Sequence, residues 1–317
     1  MSTAVERPKV PEVPSVHPAS ADGVPIDLCI CSYKRPGVVG ILELVARQTG
    51  IAPSRLRVIV ADNSADAEMR GPISRAAARL CFGVHYVHAP AHNISVARNA
   101  CLDAARAPWI AFLDDDEFPS PGWLGALWRE VERGGWDAVL GPVRAIYPEK
   151  TAGWIKNGDF HSTKPVWVRG EIRTAYTGNV MFRAELAKRL GLRFRAYLGK
   201  SGGEDEDFFY RFFDGGGRIG FAADAVVYEQ VPAHRARLRW LLLRSFRAGQ
   251  SHGARLRQKN SIGRDVVIAA AKALCCCGGA IARLPRATSR NKFLLRAALH
   301  FGVVAKLLTD AHHIELY

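Results

Sequence analysis

An α/β fold, with a parallel sheet covered by helices on both faces, is predicted by three features of this sequence. Short apolar runs rich in β-branched residues alternate with helical patterns over about ninety residues. Each run stops abruptly at polar residues, and beyond residue 240 the alternation gives way to long basic, apolar segments. At 317 residues, 48% hydrophobic and 23% charged, the chain can bury a large core, which excludes disorder of the whole.

Residues 26–31 (IDLCIC) read as the first strand, broken by Ser32, Tyr33, Lys34, Arg35 and Pro36. GVVGILELVARQ follows as a helix with Pro36 near its first turn. A second strand, 56–61 (LRVIVA), ends at Asp62, Asn63 and Ser64, and 67–80 reads as helix. A third strand at 84–87, a helix at 95–105 and a fourth strand at 109–113 complete the alternation. Ser120-Pro121 is a cap and first-turn pair for the helix GWLGALWREVE; 137–143 reads as one more strand. The stretch 144–177 is irregular and aromatic, the signature of a functional loop region, with Trp154, Trp167 and Tyr176 as candidate ligand-stacking residues. TGNVMF (177–182), a helix at 183–190 and GGEDEDFFYRFFDGGGRIGF (202–221) come next.

Charge divides the chain in two. From 231 to 317 there are 16 Lys and Arg against 3 Asp and Glu, while the preceding residues carry 28 against 27. Such asymmetry points to a polyanionic surface, and the tail lacks the interleaved aromatics of a nucleic-acid binder, so an anionic membrane is the expected partner and nucleic acid is not. DVVIAAAKALCCCGGAIARLP (265–285) has about the length a bilayer core requires but is interrupted by Lys272 and Gly278-Gly279. Together with FLLRAALHFGVVAKLL (293–308) it suits helices lying in an interface, one re-entrant hairpin, or amphipathic helices packed on the body. Seven cysteines without metal spacing suit a reducing compartment, and the Pro-containing residues 1–25 read as a disordered leader.

Polar residues gather at the ends of three strands: Ser32 to Arg35, Asp62 to Ser64, and Asp114, Asp115, Asp116 and Glu117. Ligands of open α/β sheets bind at that edge, so these loops converge on one crevice. Adjacent carboxylates beside an apolar strand need compensation, and an Asp-x-Asp turn can offer oxygens to Mg²⁺ or Mn²⁺, completed by diphosphate and water. A solvated acidic turn is the other reading. The second acidic block, Glu204 to Asp207, stands at a helix start behind Gly202 and Gly203. The helix dipole favours carboxylates there, and crowding raises the proton affinity of some, as a general base requires.

With these parts in order (CSYKRP at 31–36, ADNS at 61–64, NISVARNA at 93–100, FLDDDE at 112–117, TGNVMF at 177–182 and GGEDEDFFYR at 202–211), the chain from about 26 to 247 resembles the inverting family 2 glycosyltransferases, and most closely bacterial exopolysaccharide glucosyltransferases of the succinoglycan type. The resemblance implies a GT-A fold, a Rossmann-like, mixed but mostly parallel sheet, with a nucleotide-sugar half at 26–117, an acceptor half at 118–247 and a basic helical tail at 248–317. It implies that Ser32, Tyr33 and Arg35 lie against the nucleotide, that Asp62 accepts from the uracil imide beside Asn63, and that Arg98 and Asn99 hold the nucleotide edge. Asp114 is implied near the ribose and Asp116 on the metal; because the motif is DDDE, Asp115 could take either role. Asp205 is implied as the base, with Glu204 binding the acceptor or orienting it, and Thr177, Gly178, Asn179 and Gly203 lining the pocket. His234 stands where some related enzymes place a further metal ligand.

The implied reaction moves one hexose, glucose favoured, from a UDP-sugar to a lipid-linked saccharide at the cytoplasmic face of a bacterial inner membrane, with the enzyme peripheral or anchored by its tail. Arg239-Trp240 lacks the preceding glutamine of processive relatives, so one sugar is transferred. A sugar nucleotidyltransferase is the alternative enzyme, but CSYKRPG has a single glycine where a Gly-rich triphosphate loop is needed. A non-catalytic basic scaffold at the membrane is the third reading.

Overall fold

The computed structural model describes residues 25–257 and 262–309; the expected leader, apart from Pro25, and the end of the basic tail lie outside the described residues. The chain forms two compact units. The first takes in the chain up to Pro142, Lys164–Gly199 and Glu204–Val227, the second Val143–Thr163, Lys200–Gly203 and the chain from Tyr228.

In the first unit, β1 (Ile26–Ser32), α1 (Val38–Ala46), β2 (Leu56–Asp62), α2 (Arg70–Ala77), β3 (Gly83–His88), α3 (Ile94–Ala104) and β4 (Trp109–Asp114) follow the predicted alternation. β1 is buried at every position, as a parallel strand covered on both faces should be. Its one carboxylate, Asp27, is satisfied by the Arg57 guanidinium at 2.7 and 2.8 Å and by the backbone N–H groups of Arg106 and Ala107 at 2.6 and 2.8 Å. The helix expected over 67–80 is shorter, because Ala67 takes a left-handed φ of 50° and delays its start.

Beyond β4 come β5 (Glu117–Pro119), α4 (Trp123–Gly134), β6 (Ala138–Leu140), β7 (Val143–Ile146), α5 (Gly153–Gly158), β8 (Trp167–Val168), β9 (Glu171–Ile172), β10 (Asn179–Arg183), α6 (Ala184–Arg189), α7 (Glu204–Asp214), β11 (Ile219–Phe221) and β12 (Val227–Gln230). The single strand expected at 137–143 is two, since Pro142 supplies no ladder donor and the chain changes unit there. The stretch expected to be irregular, 144–177, contains α5 and short strands.

The seven-stranded sheet has the order β11-β6-β10-β4-β1-β2-β3. Six strands are mutually parallel, and β10 runs antiparallel between β4 and β6. This is the mixed, mostly parallel sheet that the resemblance implied; the alternation of β1 to β4 by itself covers only its parallel part. The register sets Ser32 opposite Asp62 and Cys31 opposite Asp114, so the β1, β2 and β4 loops leave at one edge. Because β10 enters antiparallel with Asn179 opposite Leu113, its start lies at that edge too.

A phenylalanine cluster anchors α7. Phe208, Phe209 and Phe212 meet Phe182 of β10 with centroids 5.6 to 6.1 Å apart, and Phe208 stacks on Phe194 at 4.4 Å. Burying three aromatic rings on one face fixes where the acidic first turn of α7 points.

The second unit is built on α8 (Leu238–Leu256), α9 (Ile262–Ile281) and α10 (Ala287–Leu308). α8 and α10 approach through glycines. A Cβ on Gly249 would stand 1.9 Å from Leu299 O, and one on Gly302 1.9 Å from Phe246 O, so neither position admits a side chain. Trp240 stacks on His161 at 5.3 Å, and Tyr147 meets the same imidazole edge-on. His161 is buried; its Nε2 lies 3.0 Å from Arg235 O, and among the described residues its Nδ1 has no hydrogen-bond partner. Burial holds its pKa below the ordinary value. The unfolded chain therefore takes up a proton that the folded imidazole refuses, so stability is full above the unfolded pKa of about 6.5 and falls as pH drops below it. Urea unfolding of the native protein is expected to weaken between pH 7 and pH 5, and His161→Phe to flatten that slope; a slope unchanged in the variant would assign it to other groups.

Candidate active site

The crevice at the sheet edge is built on two arginines that divide the acidic residues between them. Arg35, in the loop after β1, lies 2.9 Å from Asp115 Oδ1 and also pairs with Asp116. Asp115 is buried and its pKa is pushed up to about 6 by desolvation, with Arg35 opposing. The hydroxyl of buried Ser32 interacts with the same carboxylate and favours its ionised form. Asp114 and Asp116 are partly exposed, at 40% and 43% of their side-chain surface.

Arg98, on α3, is 5% exposed and sits between the two acidic clusters. Its guanidinium makes a short ion pair with Glu204 Oε1, reaches Asp114 Oδ1 at 3.6 Å and lies over the Phe194 ring at 5.7 Å. Burial raises the pKa of Glu204 and Arg98 lowers it, with burial prevailing. The neighbouring Asp205 is half-buried in the first turn of α7 and accepts from Glu206 N at 2.8 Å. One buried cation thus links the end of β4 to the start of α7.

Other expected site residues hold the crevice in shape. Asp62 is fully buried; Tyr86 donates to it at 2.6 Å and Ser64 donates through N–H and hydroxyl. Asn63 Oδ1 accepts from Ala91 N and Asn93 N, fastening the next loop, and Asn93 in turn caps α3. Asn99 exchanges two hydrogen bonds with the Phe194 backbone, at 2.8 and 2.9 Å, which ties down the segment under Arg98. Thr177, Gly178 and Asn179 are buried at the start of β10. A Cβ on Gly178 would lie 2.4 Å from Glu117 Oε1, so this glycine lets the Glu117 carboxylate lie against the backbone.

Asn179 accepts from Trp123 Nε1 at 2.7 Å and donates to Pro142 O and Ala225 O at 3.0 and 2.7 Å. Asn179→Leu leaves the Trp123 indole N–H and Ala225 O buried without partners, while Pro142 O keeps its bond from Val227 N, and is expected to cost about 2 kcal/mol or more, at roughly 1–3 kcal/mol for each orphaned group. Denaturant titration reads this directly, and a loss below about 1 kcal/mol would contradict a clamp role.

The remaining expected residues are dispersed. Gly203, with φ +88°, precedes α7, and His234 is exposed; both belong to the second unit. Trp167 is exposed on β8, Trp154 packs against Phe160, and Tyr176 donates to Gly141 O. Sequence reading missed two features. His92 stacks on Tyr33 at 4.6 Å with rings 18° apart, forming an exposed aromatic platform. Glu117, the fourth member of the acidic run, is buried and accepts from Asp114 N, a role the run gave no sign of. His92 directly precedes the α3 cap in sequence, which is the only signal that could have pointed to it.

Among the described residues no set of three or more His, Cys, Asp or Glu side chains gathers as a metal cage. Mg²⁺ and Mn²⁺ need fewer protein ligands than that when diphosphate oxygens complete the shell. Asp114 and Asp116, partly exposed on either side of buried Asp115, form an all-oxygen donor set that fits such an ion.

Residues 27–191 match the model of the family described as Glycosyl transferase family 2. Succinoglycan biosynthesis protein ExoM of Rhizobium meliloti (strain 1021) is 46% identical over 295 residues, which cover 92% of this chain and 95% of that protein. Solved structures with a similar fold include mannosyltransferase PcManGT from Pyrobaculum calidifontis in complex with GDP-Man and Mn²⁺, at 17% identity and TM-score 0.59, covering 91% of this chain and 88% of that one. S. aureus TarS 1-349 in complex with UDP is similar at 12% identity and TM-score 0.51, covering 87% and 91%. This chain spans only 52% of a longer TarS chain.

Proposed function

The chain belongs to glycosyl transferase family 2, and from that premise we propose that it is an inverting hexosyltransferase, moving one hexose, with glucose favoured, from a UDP-sugar to a lipid-linked saccharide. The observation that carries this reading is the Arg98 bridge, which holds a carboxylate pair at the start of α7 against the acidic end of β4. The role in exopolysaccharide assembly is supported by the identity to the succinoglycan biosynthesis protein.

The nucleotide lies along the edge formed by Ser32, Asp62 and Asn63, with the uracil on the Tyr33–His92 platform. Asp62 takes the imide N–H on Oδ2, which keeps a lone pair beside its Tyr86 bond, whereas Oδ1 already accepts twice from Ser64. Arg35 faces the diphosphate, exchanging its carboxylate partners for phosphate oxygens in the bidentate manner that guanidinium favours. A Mg²⁺ or Mn²⁺ ion held by Asp116 and Asp114 would supply Lewis-acid stabilisation of the departing UDP.

Asp205 takes the proton of the acceptor hydroxyl as its oxygen attacks the anomeric carbon, and the bond from that carbon to the β-phosphate oxygen breaks on the opposite side. A single displacement inverts the configuration, so an α-linked donor gives a β-linked product. Glu204, pinned by Arg98, orients Asp205 through the shared helix turn. The acceptor's lipid anchor places the enzyme on the cytoplasmic face of the inner membrane, where the basic tail meets anionic headgroups.

UDP release from a panel of UDP-sugars, with Mg²⁺ or Mn²⁺ and a bacterial lipid extract, tests the proposal. Turnover with one donor, lost on chelation and in Asp205→Asn and Asp116→Asn, is the expected result. No turnover with any donor, or variants equal to the native protein, would overturn it.

A further inference from the structure

Among the described residues, one face of a long helix of the second unit is left uncovered. On α9, Val267, Ala271, Leu274, Gly278 and Ile281 recur at alternating four- and three-residue intervals, and all five are exposed. Val267, Leu274 and Ile281 each expose 67% of their surface. The opposite side of α9 is lined by buried Ala269, Ala273 and Ala280, of which Ala269 packs with Val303 and Leu307 of α10. The helix thus turns its small residues inward and its large apolar ones outward, the reverse of an ordinary surface helix.

Charge indicates what covers this face. Between Ile262 and Thr309 there are eight Lys and Arg against one Asp. Arg264, Lys272, Arg283 and Arg286 are exposed along α9 and the turn after it, next to exposed Leu284. A second copy of this chain would bring the same cations against one another, which disfavours a self-associated face. Among the described residues no helix is long and apolar enough to cross a membrane.

We propose that the outward face of α9 lies in the plane of an anionic lipid surface, its apolar stripe in the acyl boundary and its flanking cations among the headgroups. α8 and α10 form the platform behind it and stay out of the lipid. The proposal deepens the reading of the tail as a membrane-facing region, by naming the element and its orientation, and is independent of the transfer chemistry.

Two native cysteines provide the test. Cys275 is exposed on the apolar face of α9, and Cys81 is exposed on the first unit. Site-resolved alkylation of the full chain by a water-soluble maleimide is compared with no vesicles, with phosphatidylglycerol vesicles and with phosphatidylcholine vesicles. With phosphatidylglycerol, Cys275 is expected to react about tenfold more slowly, while Cys81 changes less than about twofold. Phosphatidylcholine should give little protection. Leu274→Glu, at a position too exposed to disturb the fold, should weaken vesicle co-sedimentation by about tenfold or more.

Unchanged Cys275 reactivity on vesicle-bound protein would overturn the proposal. So would equal protection by both lipids, or protection without vesicles that rises with protein concentration, which would assign the face to a second copy. Asp205→Asn should show the native protection pattern, so a failure of the transferase reading is distinguishable from a failure of this one.

Discussion

Asp205→Asn is expected to lower kcat by about 10³-fold with the donor KM within about twofold, the range for loss of a positioned general base. Asp205 stands on α7, whereas Asp114 ends β4 and Asp116 lies in the turn after it, so removing its charge spares the proposed donor contacts. The fold should survive, because an asparagine oxygen can still accept from Glu206 N. Steady-state UDP release gives the kinetic split, and thermal unfolding within about 2 °C of native confirms an intact fold. Activity within about tenfold of native would remove Asp205 from the base role. Asp116→Asn should behave differently, raising the concentrations of metal and donor needed for half-saturation.

Arg98→Met is expected to destabilise the first unit by about 3–5 kcal/mol, the usual result of leaving a buried carboxylate without its cation. For a unit of this size that is a fall of roughly 10 °C in Tm. The deficit should narrow as pH falls, since the raised pKa of Glu204 lets it become neutral before ordinary carboxylates do. Arg98→Met combined with Glu204→Gln should recover much of the loss, because both members of the pair are then uncharged. If the double variant is as unstable as the sum of the two singles, the bridge is not an energetic unit. Restored stability without restored activity would show that the pair positions Asp205 as well as holding the fold.

The alternation of β1 to β4 with α1 to α3 was legible because parallel strands buried on both faces leave continuous apolar runs. The acidic ends of β4 and α7 were legible for a similar reason, as charge concentrated beside apolar residues. The antiparallel entry of β10 was not, since a five-residue apolar strand reads the same in either direction. Arg98 was placed on the nucleotide edge from its motif, yet its position between Glu204 and Asp114 depends on contacts more than a hundred residues apart in one direction and sixteen in the other. The hydrogen bonds that Asn179 and Asn99 make to backbone groups were not legible either, since they depend on which carbonyls the fold brings near.

By itself the sequence determined the layering of sheet and helices, the edge where polar loops gather, and the basic charge of the region after residue 230, because periodicity and composition are local properties that survive without coordinates. Tertiary structure alone decided which carboxylate meets which arginine, which of the site's amides are already satisfied, and which face of α9 is left uncovered. Those depend on distances between segments remote in sequence, where a shift of one residue in register would exchange every partner.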